Sequence, residues 1–437
     1  MELEPLLPIL PLTAQVNTSG HLVLGGCDTV ELAHRFGTPL YVLDELTMRT
    51  MCRQFRHEFR SRHPDTTIIY ACKAYIGLAM ASLVAQEDLG ADVVSGGELA
   101  FLITVGFSPE KIYFHGNNKS PQELEEALRY QVGRVVVDNF YELELLERVA
   151  AQLGRRQPVL LRISPGVDPH THAKTTTGTV ESKFGIPIAD GQAREAVAKA
   201  GSSEHLELVG LHFHLGSPIF DVAPYQEAIR ITIGFAADAL GPRFQELGVG
   251  GGFAAQYVPQ QPPPSISAYA EAIVHALKEE CRRYRIPTPR LVVEPGRAIV
   301  ARAGVALYTV GAWKAVPGGK RYISVDGGMG DNIRPALYGA QYVALLANRL
   351  LEPATERVTV AGKFCESGDV LVWDAHLPSP RPGDLLAIPA AGAYTLAMAS
   401  NYNASLRPAV VMVKDGEARL VRRRETYKDL LQCEVWP

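Results

Sequence analysis

The sequence predicts an α/β protein in which a parallel (β/α)8 TIM-type barrel precedes a mostly antiparallel β domain. Two observations predict this fold. Eight short apolar runs alternate with helical stretches up to Glu294, and an apolar run without alternation is typical of a parallel strand that is buried on both faces. After Arg297 further strand-like runs follow one another with Pro and Gly turns and without helices between them, which is typical of an antiparallel sheet.

The eight apolar runs are the predicted barrel strands, and they are Thr67–Ala71, Ala91–Ser95, Lys111–His115, Arg134–Asp138, Val159–Ile163, Leu208–His214, Glu246–Gly250 and Arg290–Glu294. Helices are predicted at Tyr75–Asp88, Gly97–Val105, Ser120–Tyr130 and Tyr141–Gln152. The third of these begins with a serine, a proline and, three residues after the serine, a glutamate, which is the pattern of a capping box. A doubly wound open sheet is the alternative, but polar residues after nearly every strand favour a closed barrel, because barrel enzymes keep their sites at that face.

The predicted strands of the second domain are Val305–Lys314, Arg321–Val325, Arg357–Ala361, Asp369–Asp374, Asp384–Ile388 and Ala409–Lys414. Asp415 and Gly416, at the end of the last strand, predict a hairpin. A strand at His21–Gly25 is expected to join this domain from the N-terminus. We therefore divide the chain into an N-terminal arm or strand (residues 1–39), a barrel domain (residues 40–298) and a β domain (residues 299–437).

Composition and charge exclude several classes of protein. The chain has 437 residues and a net charge of -4, which predicts more than one domain and no nucleic-acid partner. Its 6 cysteines are scattered without a CxxC pair or a metal-like spacing, which favours a reduced compartment and no metal site. No basic leader and no apolar run long enough for a bilayer are present, so we expect a cytoplasmic protein without a membrane partner.

Four constellations carry chemistry: Lys73 at a strand end, Gly250–Gly252, the turn Glu294-Pro-Gly296-Arg297 and the segment Cys365-Glu-Ser-Gly-Asp369. Lysine can form a Schiff base, glycine backbone can approach a phosphate, and a carboxylate can keep a pyridine nitrogen protonated. These are the parts that a pyridoxal phosphate enzyme supplies to its cofactor. Taken singly, three of them have a plainer interpretation: a solvated lysine, a tight barrel turn and a small core cysteine.

Two of these segments resemble a known family. Tyr70-Ala-Cys-Lys-Ala74 is similar to the YAxKA motif of the alanine-racemase-like pyridoxal phosphate enzymes, and Cys365–Asp369 matches the CESGD segment of the diaminopimelate decarboxylases. The resemblance extends from about residue 40 to 415. It implies the pyridoxal 5′-phosphate-dependent decarboxylation of meso-2,6-diaminopimelate to L-lysine and carbon dioxide, the last step of lysine biosynthesis. In this family Lys73 would form the Schiff base, Glu294 would contact the pyridine nitrogen, and Cys365 would return the proton.

The resemblance also implies the remaining site residues and the assembly. The other expected cofactor-binding residues are Asp92, Arg162, His214, Ser217, Gly250, Gly251, Gly252, Gly296, Arg297 and Tyr394. The expected substrate-binding residues are Arg297, Arg334, Tyr338, Glu366 and Tyr394. The family further implies a homodimer with active sites at the interface, in which the partner chain supplies the cysteine and the glutamate.

Other functions stay open from the sequence. A decarboxylase of the same fold for ornithine, arginine or a carboxylated polyamine would lack a distal substrate carboxylate, so it would have no use for an arginine pair. A non-catalytic pyridoxal phosphate carrier would need Lys73 and the glycines but neither Cys365 nor Glu366. A nucleotide-binding oxidoreductase is disfavoured, since no GxGxxG follows the first strand.

Overall fold

The structure is a computed structural model that describes residues 4–168, 176–178 and 182–436. The chain divides into two compact units. The barrel unit comprises Cys52–Ala254 and Pro263–Gly296, and the β unit comprises Met1–Met51, Ala255–Pro262 and Arg297–Pro437. None of the described helices is both long enough and apolar enough to cross a bilayer.

Eight parallel strands of the barrel unit pair in a closed ring, which confirms the predicted fold class. Every predicted barrel strand is present, with ends that differ by a few residues because strand ends depend on pairing partners. A layer of apolar side chains from six of these strands fills the barrel and includes Ile69, Leu160 and Val292. The strands are Thr66–Ala71, Gly90–Val93, Ile112–Phe114, Arg134–Val137, Gln157–Ser164, Leu206–His212, Glu246–Gly248 and Arg290–Val293.

Helices connect successive strands of the barrel. The predicted capping box is present: the Ser120 hydroxyl accepts from the backbone N–H of Glu123, whose carboxylate accepts from the Ser120 backbone N–H. All four helices predicted in this part of the chain exist. Between the first and the last barrel strand the α-helices are Leu78–Gln86, Gly96–Thr104, Pro121–Tyr130, Phe140–Gln152, Gln192–Gly201, Ala223–Ala239 and Ile266–Tyr284, and the helix Glu45–Arg62 precedes the first strand.

The β unit contains a mostly antiparallel sheet, as predicted. Its strands are Leu40–Asp44, Gly304–Ala315, Arg321–Val325, Leu345–Leu346, Glu356–Ala361, Val370–Leu377, Leu385–Ile388, Ala409–Lys414 and Glu417–Arg422. The first of them is a departure from expectation, since the sequence places the start of the barrel domain at residue 40. Leu40–Asp44 instead pairs with the strands that begin at Gly304 and Ala409, because its fully buried residues complete the centre of this sheet. The boundaries at residues 39/40 and 298/299 otherwise stay predictions.

Shorter elements complete the β unit. A small sheet of Gln15–Val16, Leu22–Leu24 and Cys27–Asp28 contains the strand that was expected at His21–Gly25. The hairpin expected at Asp415 and Gly416 is present, and both residues have positive φ angles. The short α-helices are Thr29–Phe36, Arg297–Val300, Arg334–Tyr338 and Tyr427–Leu431. The expectation that no helix separates the later strands is wrong at Arg334–Tyr338, because five residues are too few to give a helical period in the sequence.

Candidate active site

The carboxyl end of the first barrel strand carries Lys73. The strand ends at Ala71, and Lys73 lies in the 3-10 turn Cys72–Ala74 that follows it. Its Nζ donates a hydrogen bond to Oδ2 of Asp92 on the neighbouring strand, at 3.1 Å. Asp92 is fully buried, and its Oδ1 has no hydrogen-bond partner among the described residues. The structure therefore brings together two of the predicted cofactor-binding residues.

Glu294 follows the last barrel strand and lies between two buried histidines. Its Oε1 is 2.9 Å from Nε2 of His212 and 3.6 Å from Nε2 of His115. Burial raises the pKa of the Glu294 carboxyl, but the two imidazoles lower it further, so the net shift is below the ordinary value. The carboxylate is therefore negatively charged at neutral pH. Neither Oε1 nor the two Nε2 atoms have a partner in hydrogen-bonding geometry within the described chain.

His115 and His212 are site residues that the sequence analysis did not assign. Burial lowers the pKa of His115 well below its usual range. The two imidazole rings meet edge to face, with centroids 4.9 Å apart. One signal for them was available: His115 stands among the polar residues that follow the barrel strands. One nitrogen of each histidine and one oxygen of Glu294 all lie within 4.8 Å of one another, a spacing that would also suit a metal ion.

The glycine run Gly250–Gly252 follows the strand Glu246–Gly248 and requires residues without a side chain. A Cβ at Gly250, where φ is +71°, would lie 2.7 Å from Nδ1 of His214. At Gly252, where φ is +101°, it would lie 2.5 Å from the backbone oxygen of Gly216. The same imidazole Nδ1 accepts a hydrogen bond from the Gly251 N–H, at 3.1 Å. The glycines thus pack directly against His214 and the segment that contains Ser217.

Two further predicted residues, Gly296 and Arg162, lie at the same end of the barrel. A Cβ at Gly296 would be 2.9 Å from the Cβ of Ala71, so glycine here allows close packing against the strand that precedes Lys73. Arg162, on the fifth strand, forms an ion pair with Asp138 at 3.6 Å and lies 4.5 Å above the Phe184 ring. Its charge also acts on the pKa of His115 and His214.

A second group of predicted residues lies in the β unit. Arg297 and Arg334 are both buried, at 7% and 6% relative exposure. Nη1 of Arg297 donates to the hydroxyl of Tyr257 at 2.8 Å, and its guanidinium lies 4.7 Å above the Tyr394 ring. The Arg334 guanidinium lies 4.5 Å above the Tyr257 ring and donates to the Tyr342 hydroxyl. The sequence analysis did not assign Tyr257 or Tyr342 to the site.

Tyr394 and Tyr338 accompany the arginines. Tyr394 has a φ of +58°, a left-handed conformation that is uncommon for a residue with a side chain and is frequent at functional sites. Tyr338 is the last residue of the helix that begins at Arg334. One turn of helix therefore carries two of the predicted substrate-binding residues.

Cys365 and Glu366 lie on an exposed loop of the β unit. The Asp369 carboxylate holds the base of this loop by accepting hydrogen bonds from the N–H groups of Phe364 and Met329, at 2.8 and 2.6 Å. Glu366 accepts a hydrogen bond from the Tyr402 hydroxyl, at 2.5 Å. Cys365 and Glu366 are exposed, whereas Arg297 and Arg334 are buried. The structure thus places these two predicted residues at the surface of the β unit.

Comparison with known proteins identifies the family. Residues 47–301 match the family model for the pyridoxal-binding domain of pyridoxal-dependent decarboxylases. The chain is 46% identical to the diaminopimelate decarboxylase of Bacillus subtilis, over 97% of both chains. It is 49% identical to that of Actinosynnema pretiosum, over 95% of this chain and 93% of the relative. The crystal structure of diaminopimelate decarboxylase from M. jannaschii with L-lysine superimposes with a TM-score of 0.91 at 34% identity, covering 97% of this chain and 98% of the other. The chain therefore belongs to the diaminopimelate decarboxylase family of pyridoxal-dependent amino-acid decarboxylases.

Proposed function

We propose that this protein binds pyridoxal 5′-phosphate and decarboxylates meso-2,6-diaminopimelate to L-lysine and carbon dioxide, as the last step of lysine biosynthesis. The observation that carries the proposal is the buried, negatively charged Glu294 at the same barrel end as Lys73. The strand that precedes Lys73 pairs in parallel with the strand that precedes Glu294, so the two residues follow the carboxyl ends of neighbouring strands. A lysine amine and a carboxylate at one site are the two groups that this chemistry needs most.

The barrel residues fit the cofactor. Buried oxygens of Asp92 and Glu294 lack hydrogen-bond partners among the described residues, and a bound polar group would satisfy them. The glycine run is held open at positions where any side chain would collide with backbone or with His214. When bound, pyridoxal phosphate withdraws electrons from the α-carbon of the amino acid that is attached to it.

Each barrel residue has a proposed role toward that cofactor. Lys73 would hold the cofactor through its amine, and Glu294 would keep a proton on the pyridine nitrogen. Burial lowers the pKa of His214 well below its usual value, so a neutral imidazole would stack on the ring. The other proposed cofactor-binding residues are Asp92, Arg162, Ser217, Gly250, Gly251, Gly252, Gly296, Arg297 and Tyr394.

Arg297 and Arg334 of the β unit are the residues that we propose recognise the substrate. Diaminopimelate has a second amino-acid head far from the reacting carbon, and arginine binds carboxylates with two hydrogen bonds. Arg334 is buried and has no carboxylate partner among the described residues. A buried, unpaired guanidinium is costly unless a ligand supplies the anion. We assign Arg297, Arg334, Tyr338 and Tyr394 to the distal carboxylate and Glu366 to the distal ammonium.

Cys365 is the proposed donor that returns a proton to the carbon after carbon dioxide leaves. Its exposure, together with that of Glu366, supports the proposal that these two residues act in the site of a second copy of the chain. The protein would then be a homodimer with active sites at the interface, and a two-fold pair is the commonest assembly. We propose the cytoplasm as its compartment.

Arg334→Ala tests the substrate assignment. Removing one partner of a desolvated charge pair costs ~2–5 kcal/mol, so we expect kcat/KM for diaminopimelate to fall at least tenfold. Decarboxylation of ornithine, which has no distal carboxylate, should not fall in the variant. Arg129→Ala, at an exposed helical position, is the control and should behave as the wild type. A wild-type protein that prefers ornithine, with Arg334→Ala unchanged, would replace the proposal by the same-fold ornithine decarboxylase.

A further inference from the structure

Tyr257 connects the two buried arginines of the β unit. It lies on Ala255–Pro262, a short segment that belongs to the β unit although the chain on both sides belongs to the barrel unit. Its hydroxyl accepts a hydrogen bond from Arg297, and the face of its ring contacts the Arg334 guanidinium. One side chain thus contacts both arginines: its hydroxyl binds Arg297, and its ring lies 4.5 Å from the Arg334 guanidinium and 5.8 Å from that of Arg297.

The charge balance indicates why a tyrosine is present. Two guanidiniums buried in one cluster repel each other unless a negative charge lies nearby. Burial raises the pKa of Tyr257, but Arg297 and Arg334 lower it further, so the net shift is downward. Burial lowers the pKa of Arg334, and Tyr257 together with Tyr342 raises it above its usual value. The phenol oxygen, which accepts from Arg297, therefore places a partial negative charge beside the two guanidiniums.

The Tyr257 hydroxyl can also donate a hydrogen bond to a ligand. It accepts from Arg297, but within the described chain it donates to no acceptor. Arg334 likewise reaches no carboxylate among the described residues. A phenolic O–H beside two guanidiniums is a third donor for an oxyanion, and hydrogen bonds to charged groups are the stronger ones.

We propose that Tyr257 is a positioning and specificity-determining residue, which holds Arg297 with its hydroxyl and Arg334 with its ring so that these three groups bind the distal carboxylate of the substrate. The proposal rests on the proposed function, since it takes that carboxylate to be part of diaminopimelate. The cofactor phosphate is the other oxyanion of the reaction, and the experiments below separate the two.

Tyr257→Phe isolates the hydroxyl, because phenylalanine keeps the ring face for Arg334. We expect KM for diaminopimelate to rise roughly tenfold, the effect of losing one charge-assisted hydrogen bond. Little change in kcat is expected, because the distal head is bound alike in the ground state and the transition state. Tyr113→Phe removes another buried hydroxyl, which bonds Glu246 at the amino end of the barrel strands, and it should leave both constants unchanged.

A binding measurement on the holoenzyme separates carboxylate recognition from catalysis. L-lysine and cadaverine share one carbon chain and two amines, but only lysine has a carboxylate. In Tyr257→Phe the dissociation constant of lysine, measured by calorimetry, should rise about tenfold. That of cadaverine should stay the same, as should that of pyridoxal phosphate.

A third measurement needs no variant. Bound lysine would bring a carboxylate to the arginines, so it should raise the pKa of the phenol and reduce the near-ultraviolet absorbance of tyrosinate at a fixed alkaline pH. Cadaverine should not reduce it.

Three results would overturn the proposal: an equal effect of lysine and cadaverine on that absorbance, the same loss in Tyr113→Phe as in Tyr257→Phe, or a weaker affinity for pyridoxal phosphate with unchanged KM. The last result would identify the cofactor phosphate as the anion. A failure of the proposed function would give a different result, because the wild type would then not decarboxylate diaminopimelate. The dissociation constants of lysine and cadaverine would still test the role of Tyr257 in that case.

Discussion

Nε2 of His212 lies 2.9 Å from Oε1 of Glu294, and the side chains are only 1% and 2% exposed. His115 lies beside this pair, with its Nε2 3.6 Å from the same carboxylate oxygen. Without the histidines burial alone would raise the pKa of the carboxyl, and with them the pKa lies below its ordinary value.

His212→Asn should move the acid limb of the pH profile of kcat/KM to higher pH. The folded protein stabilises the charged form of the Glu294 carboxyl, because its pKa in the folded state is lower than in the unfolded chain, where it is about 4.3. The carboxylate therefore contributes to the free energy of unfolding above that pH, and the contribution is lost as the pH falls through the lower pKa of the folded state. Removing His212 leaves burial less opposed, which raises the folded pKa. His275→Asn, at an exposed position on a barrel helix, is the control. An acid limb that stays in place would show that His212 does not set the charge of Glu294.

Metal removal should leave the activity unchanged. His115, His212 and Glu294 have the spacing of metal ligands, but we assign Glu294 to the pyridine nitrogen. Purified protein that has been dialysed against a chelator should keep its kcat/KM, and elemental analysis should find metal well below one ion per chain. A stoichiometric metal whose removal abolishes turnover would contradict this assignment.

Lys119→Met should destabilise the barrel unit strongly. Nζ of Lys119 donates to Oε1 of Glu142 at 2.6 Å and to the backbone oxygens of Gly116 and Val136, and it is 1% exposed. Burial lowers the pKa of Lys119 and raises that of Glu142, so each charge depends on the other. Breaking such a pair costs ~3–5 kcal/mol, which thermal unfolding of the holoenzyme would register as a clear drop in Tm.

The matched control for that variant is Lys111→Met. Lys111 pairs with Asp88 at the surface, where both side chains are substantially exposed, and surface pairs contribute ~0–1 kcal/mol. Equal changes in Tm for the two variants would contradict the importance of the buried pair.

Cys365→Ser should lower kcat with little effect on KM. A serine hydroxyl is a far weaker acid than a thiol, so return of the proton should slow, and general acid catalysis contributes roughly 10²–10⁴-fold. Cys433 is the other exposed cysteine of the described chain, and Cys433→Ser should behave as the wild type. Unchanged turnover in Cys365→Ser would assign the proton to another group.

Local patterns in the sequence were sufficient for the barrel. Fully apolar runs such as Val159–Ile163 indicate strands buried on both faces, and the Ser120 capping box and the hairpin at Asp415 and Gly416 depend only on neighbouring residues. These features are local, so the sequence carries them without reference to the rest of the fold.

Contacts between distant residues could not be predicted in the same way. Tyr257 meets Arg334 only because a short segment between barrel elements groups with the β unit. Leu40–Asp44 takes its place in the sheet from pairing with strands more than 250 residues further on. His212 lies between two apolar residues in the sequence, as a histidine of the hydrophobic core commonly does. Only its distance to Glu294 indicates a role in the site.

The most direct test of the central claim compares wild-type protein with Lys73→Ala on meso-diaminopimelate. Release of L-lysine and carbon dioxide would be measured together with the visible absorbance of bound pyridoxal phosphate. We predict equal amounts of the two products and a cofactor absorbance band in the wild type, with both products and band lost in the variant. A wild-type protein that shows no band after addition of pyridoxal phosphate, and that releases no lysine, would contradict the account.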